Sequence, residues 1–138
     1  MRSSEVELPF KSAGEVQIAR LMERSGIPYM YEHPVAVLDR GKVRVWYPDI
    51  VLPDYGMLIE YCGRCNDPAY DAATERKAAV YQENGLSVLM LRPEDLKGRW
   101  PERILDRIES VVVDRLECWR DTRYRANGRM TAGSRSRY

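Results

Sequence analysis

The chain has 138 residues, of which 44% are hydrophobic and 31% charged, enough for one buried core and short for two. No apolar run approaches the roughly 20 residues of a membrane span, and the opening stretch MRSSEVELPF lacks the apolar segment of a secretory signal, so a soluble, cytoplasmic protein with no membrane association is expected. The net charge of +1 hides an asymmetry: Arg120, Arg123, Arg125, Arg129, Arg135 and Arg137 are offset only by Asp121 in the last nineteen residues, so that tail carries +5 and the rest of the chain −4.

In chain order, SAGEVQIARLMERSG reads as a helix with Ser12 as N-cap, Glu15 completing a capping box and Gly26 ending it. PYMYEHPVAVL and KVRVWYPDIVL follow, rich in β-branched and aromatic residues and separated by Asp39, Arg40 and Gly41, which predicts two antiparallel strands. After a turn at Pro53 to Gly56, MLIEYC is a third strand, stopping at Gly63. AYDAATERKAAVYQENG is a helix closed by Asn84 and Gly85, and LSVLML is a buried strand. A last helix is predicted from Pro101 to about Trp119. Its stripe of Ile104, Leu105, Ile108, Val111, Val112, Leu116 and Trp119 must be covered by the sheet or by a second copy of the chain.

The order α-β-β-β-α-β-α predicts an α/β domain over residues 1–119, with a mixed β-sheet flanked by helices, followed by a basic, flexible tail over residues 120–138. That tail either adds salt-sensitive phosphate contacts, through Arg120, Arg123 and Arg125 among others, or serves as a disordered solubilising end.

Period-two alternation along the second strand groups Val43, Val45, Tyr47, Asp49 and Val51, which puts a carboxylate within an apolar face. In the third strand it groups Leu58, Glu60 and Cys62, with a second carboxylate. A buried carboxylate without a partner is costly, and a divalent cation is one partner that offsets the cost. Two carboxylates converging from neighbouring strands suit Mg²⁺, which keeps several waters and takes a phosphate oxygen; Mn²⁺ accepts the same oxygen ligands. Helical spacing aligns Glu15 with Ile18, Ala19 and Met22 on the inward side of the first helix, as a third carboxylate. Lys77 shares a helical side with Tyr70, Ala73, Thr74 and Tyr81, where a lone lysine is unusual unless it reaches a site.

These residues carry a resemblance. Glu15 in the first helix, the Pro48-Asp49 pair, Glu60 after Met57-Leu58-Ile59, and Tyr61-Cys62-Gly63 together look like the PD-(D/E)xK, or restriction-endonuclease-like, nuclease superfamily, over roughly Lys11 to Leu96. The resemblance implies a restriction-endonuclease-like sheet with helices on both faces, Mg²⁺ on Asp49 and Glu60, and hydrolysis of DNA phosphodiesters. The departure is Cys62, which stands where the family keeps a lysine. Lys77 is the expected replacement, since some members are similar in carrying the lysine on the next helix. Within the superfamily the chain is closest in kind to archaeal-type Holliday junction resolvases, which implies branched DNA as substrate and a homodimer. Nicking, mismatch-repair, homing-type and restriction endonucleases of the same fold stay open, as does a catalytically inactive nucleic-acid-binding module.

The remaining features have plainer readings. Cys62 and Cys65 form a single CxxC. With only Cys118 and His33 besides, a four-ligand zinc site would consume nearly every available ligand, so a packed Cys62 and an incidental Cys65 are expected. An odd count of three cysteines is no disulfide framework. His33, the only histidine, is read as a structural polar residue. Glu32 joins a metal shell or pairs with an arginine, and the sequence does not choose. Tyr70 is expected to line the site, with Arg64 and Arg76 as phosphate contacts. Gly-rich phosphate loops and Gly-x-Ser-x-Gly are absent, which argues against a nucleotide cofactor and a serine hydrolase.

Overall fold

A computed structural model describes residues 10–63 and 67–135, with side chains described as far as Asp121. Two units are distinguished, Met1–Pro101 and Glu102–Tyr138. The first contains α1 (Ala13–Arg24), β1 (Met30–Tyr31), β2 (Val35–Asp39), β3 (Lys42–Trp46), β4 (Ile50–Leu52), β5 (Met57–Tyr61), α2 (Pro68–Glu83) and β6 (Ser87–Leu91). The last helix, α3 (Trp100–Arg135), begins at the end of the first unit, runs through the second and continues past Trp119, where the predicted stripe ends.

The helix starts follow their caps. Ser12 is extended and its hydroxyl accepts the Glu15 backbone N–H at 3.2 Å, satisfying one of the donors that a helix start leaves open. The expected capping box closes differently, because the Glu15 carboxylate accepts the backbone N–H of Lys11, one residue upstream of the cap. Asp67 caps α2 through Ala69 N–H, and Pro68 occupies the first turn, where its missing donor costs nothing.

The sheet order is β1-β4-β5-β6, with β1, β4 and β5 antiparallel and β5 and β6 parallel. A parallel neighbour needs a crossover, and α2 supplies it. The expected mixed sheet flanked by helices is therefore present, with the predicted order of elements, but the first two predicted strands are each broken in two. β2 and β3 form a separate two-stranded arm. Met30 pairs with Val51 and Val35 with Trp46 in one continuous register, so the predicted antiparallel pair is a single long ribbon interrupted midway. Pro34 and Pro48 stand in the gaps; neither can donate a ladder hydrogen bond. Glu32, at φ 49°, turns the chain out of the strand. At the far end, Arg40 and Gly41 have φ of 51° and 76°, the left-handed pair that a tight two-residue hairpin turn requires.

The interruption changes which residues share a face. Val43 (76% exposed), Val45 and Tyr47 are exposed on the arm, whereas Val51 is buried in the sheet. The single apolar face expected from Val43 to Val51 thus does not exist. Asp49 sits in the break, one residue before β4.

Each sheet face carries one helix. Val80 and Tyr81 of α2 pack with Val51, Leu58 and Val37, the last bringing the arm onto the same core. Fully burying an aliphatic side chain of this size contributes about 1.5–3 kcal/mol. Asn84, just beyond α2, fastens the arm. Its Oδ1 accepts Leu38 N–H at 2.9 Å, and its Nδ2 donates to the Leu38 and Val80 carbonyls. On the other face α1 buries Ile18, Ala19, Leu21 and Met22. There Gly14 meets Tyr61 of β5, and a Cβ at this position would fall on the Tyr61 ring. The absent side chain lets α1 approach the end of β5, close to where Glu60 lies.

In α3, Ile104 and Ile108 are buried, while Val113, Leu116 and Trp119 are exposed. Among the described residues no helix is long and apolar enough to cross a membrane.

Candidate active site

Three carboxylates from three elements come together where α1, the break before β4 and the end of β5 meet. Asp49 Oδ2 accepts the backbone N–H of Tyr61 at 2.7 Å. β4 ends its pairing with β5 at Ile50, opposite Ile59, so the Asp49 side chain takes the place of the next ladder partner. This fixes Asp49 beside Glu60, its neighbour in β5.

Glu15 and Glu60 are both buried. Glu15 Oε2 accepts hydrogen bonds from Lys11 N–H and from the Tyr31 hydroxyl, each at about 3 Å. Burial pushes the Asp49 carboxyl up to about 6, opposed by the Tyr61 N–H and reinforced by the charge of Glu60. Burial also raises Glu15, with the charge of Asp49 adding to it. Holding these carboxylates close together has a cost, which a bound divalent cation would relieve.

Lys77 of α2 supplies one positive charge, its Nζ 3.2 Å from Glu60 Oε1. That oxygen is buried, so the ion pair is shielded from solvent on the Glu60 side. Tyr81 is fully buried in the same place, with its hydroxyl towards the Glu60 carboxylate. Burial, then the charges of Glu60 and Asp49, push the Tyr81 phenol up. Tyr70 stands at the margin, raised by burial and then by Cys62, Asp49 and Glu60. Cys62, next to β5, is buried, and its backbone N–H bonds to Leu91.

The donor set fits Mg²⁺. The acids are hard oxygen donors from three separate elements, and the charge crowding that raises Asp49 and Glu15 is balanced within the site by Lys77 on Glu60. No three His, Cys, Asp or Glu side chains among the described residues form a metal cage, but Mg²⁺ binds through one or two carboxylates and completes its shell with water and phosphate. Asp49 and Glu60 would hold it.

The other predicted site residues are distributed as follows. Arg76 donates to Asp39 Oδ2 at 2.8 Å, and Arg44 reaches the same oxygen at 3.0 Å. Asp39 is buried, and its carboxyl is lowered chiefly by the Arg76 hydrogen bond. Arg120 is exposed on α3. Arg64 lies outside the described residues, as do Cys65 and the side chains of Arg123 and Arg125. Glu32 pairs with Lys11 at 2.7 Å rather than with an arginine, and His33 is exposed between β1 and β2.

Sequence reasoning missed Lys11, Tyr31 and the hydroxyl of Tyr81. Tyr81 shares the helical side of Lys77, which was the available signal. Tyr31 reaches Glu15 across sixteen positions, and no local pattern carries that contact.

The fold is similar to a solved structure described as the Homing Endonuclease I-Bth0305I Catalytic Domain, with a TM-score of 0.55 and 18% sequence identity over 75% of this chain and 97% of that one. No family model matches the chain, and no curated protein matches it.

Proposed function

We propose that the chain is a Mg²⁺-dependent DNA endonuclease of the PD-(D/E)xK type, with Asp49 and Glu60 as metal ligands, Glu15 as an auxiliary carboxylate and Lys77 as the replacement for the family lysine absent at Cys62. The observation that carries this reading is the convergence of Glu15, Asp49 and Glu60, with Lys77 on Glu60 at 3.2 Å. A nuclease domain as fold neighbour supports it.

Bound Mg²⁺ would polarise the scissile phosphate and lower the pKa of an attacking water. The chain's own groups have separable tasks. Asp49 and Glu60 would hold the ion, and the Tyr61 N–H keeps Asp49 in position. Lys77 balances negative charge at Glu60 and orients water towards phosphorus. Tyr31 and the Lys11 N–H hold Glu15 at the edge of the site. Arg76, Arg64 and Tyr70, with Arg120, Arg123 and Arg125, contact the DNA.

Small size and a basic C-terminal region favour a structure-selective enzyme of the junction-resolving kind, working as a homodimer through the exposed apolar positions of α3. Homing-type, nicking, mismatch-repair and restriction activities are alternatives on the same fold. The test compares a four-way junction, a mismatched duplex, plain duplex and single strands in Mg²⁺. Paired symmetric nicks confined to the junction are expected, and equal cutting of linear duplex would remove the junction assignment. An inactive binding module is the second reading, favoured by Cys62 standing in the lysine position. It predicts DNA binding without Mg²⁺-dependent cleavage of any of the four.

A further inference from the structure

A cleft of about 370 Å³ opens between β3 and α2, lined by Val45, Trp46 and Tyr47 on one side and by Ala73, Arg76 and Lys77 on the other. Its walls differ in chemistry. One side is aromatic and aliphatic, and the other carries two cations over the small Ala73. Trp46 is held edge-on against Tyr81 at 5.3 Å, so that wall is anchored to the core. Tyr47 is 61% exposed at the point where the ribbon breaks, offering a ring to solvent.

The cations are positioned. Arg76 spends Nη2 on the buried Asp39, and a guanidinium has five N–H donors with which to bind further groups. Lys77 lines the cleft while pairing with Glu60, so whatever fills the cleft lies next to the carboxylates. An aromatic face opposite fixed cations is suited to a nucleotide, with the base stacked and the phosphate paired.

We infer that this cleft takes an unpaired nucleotide next to the scissile phosphate, its base against Tyr47 and its phosphate on Arg76, so that an unpaired nucleotide at that place tightens DNA binding. This rests on the nuclease reading above. A base in the cleft cannot remain in a duplex stack, and leaving the stack costs least where the nucleotide is already unpaired.

The test uses the full chain in EDTA, so that binding is measured without cleavage. Two duplexes are compared, identical except for one unpaired 2-aminopurine in the first and the same base paired in the second. Wild type is expected to bind the first about tenfold more tightly, in line with loss of one stacking contact, with a change in 2-aminopurine fluorescence on binding. Tyr47→Ala should collapse both the preference and the fluorescence change, and Tyr47→Phe should keep them. Equal wild-type affinity for the two duplexes, or an undiminished preference in Tyr47→Ala, would overturn the inference. Incubating the four-substrate panel above with the same protein in Mg²⁺ separates the two claims. Cleavage of any of the four without the 2-aminopurine preference removes only the cleft assignment, and the preference without cleavage of any of them removes the nuclease reading while the cleft assignment stands.

Discussion

Asp49 has two jobs that a substitution can separate. Its oxygen accepts the Tyr61 N–H, and its charge is offered to a cation. Because its carboxyl is raised to about 6 from an ordinary 3.8, the metal-free folded state binds a proton more tightly than the unfolded chain does. Between about pH 6 and 4, stability from this group therefore rises as pH falls, and above 6 the ionised form carries the full penalty. Asp39 has the opposite sign, but its lowered carboxyl loses stability only below about 4. Mg²⁺ competes with the proton at Asp49. The melting temperature should thus rise on adding Mg²⁺ at pH 7.5 and much less at pH 5.5, and equal rises at both would contradict this account. Lys77→Ala should lower cleavage by about 10²-fold or more, as losing a preorganised charge does in other enzymes, and Cys62→Lys in that background should restore part of it. An unchanged rate in Lys77→Ala would take Lys77 out of the mechanism.

At the scale of elements, the arm is the informative part. Asn84 gives it two hydrogen bonds to the Leu38 backbone and ties them to α2 through a third to the Val80 carbonyl, and Asn84→Ala should destabilise the protein by about 1–2 kcal/mol in denaturant unfolding. An unchanged midpoint would mean that Val37, the Trp46–Tyr81 contact and the Arg76–Asp39 pair hold the arm without it. The helices α1 and α2 and the strands β5 and β6 were legible in the sequence, since caps, periodicity and short apolar runs are local signals. The break in the long ribbon was not. Pro34 and Pro48 are visible in the sequence, but that they fall on either side of one gap depends on register, a long-range property. The site divides in the same way. Glu15, Asp49, Glu60 and Lys77 were readable from inward faces and from the resemblance, although the alternation used for Asp49 ran through a break. The Tyr31 hydroxyl became visible only once distant segments were packed together, whereas Tyr81 had a local signal in sharing the Lys77 side of α2.

For the whole molecule, self-association and catalysis are the open questions. Leu116 is 56% exposed on α3, and a dimer using that face should be lost in Leu116→Glu by light scattering, while a monomeric wild type at all concentrations would refute the dimer. The central claim is the acidic centre itself, and Asp49→Asn tests it most directly because asparagine keeps an acceptor for the Tyr61 N–H while removing the charge. Cleavage of the substrate panel in Mg²⁺ is to be measured for wild type and Asp49→Asn purified side by side, with melting temperatures as the control for folding. Wild type should cut and the equally folded variant should lose at least about 10²-fold in rate; equal cutting by both, or no cutting by wild type, would contradict the account.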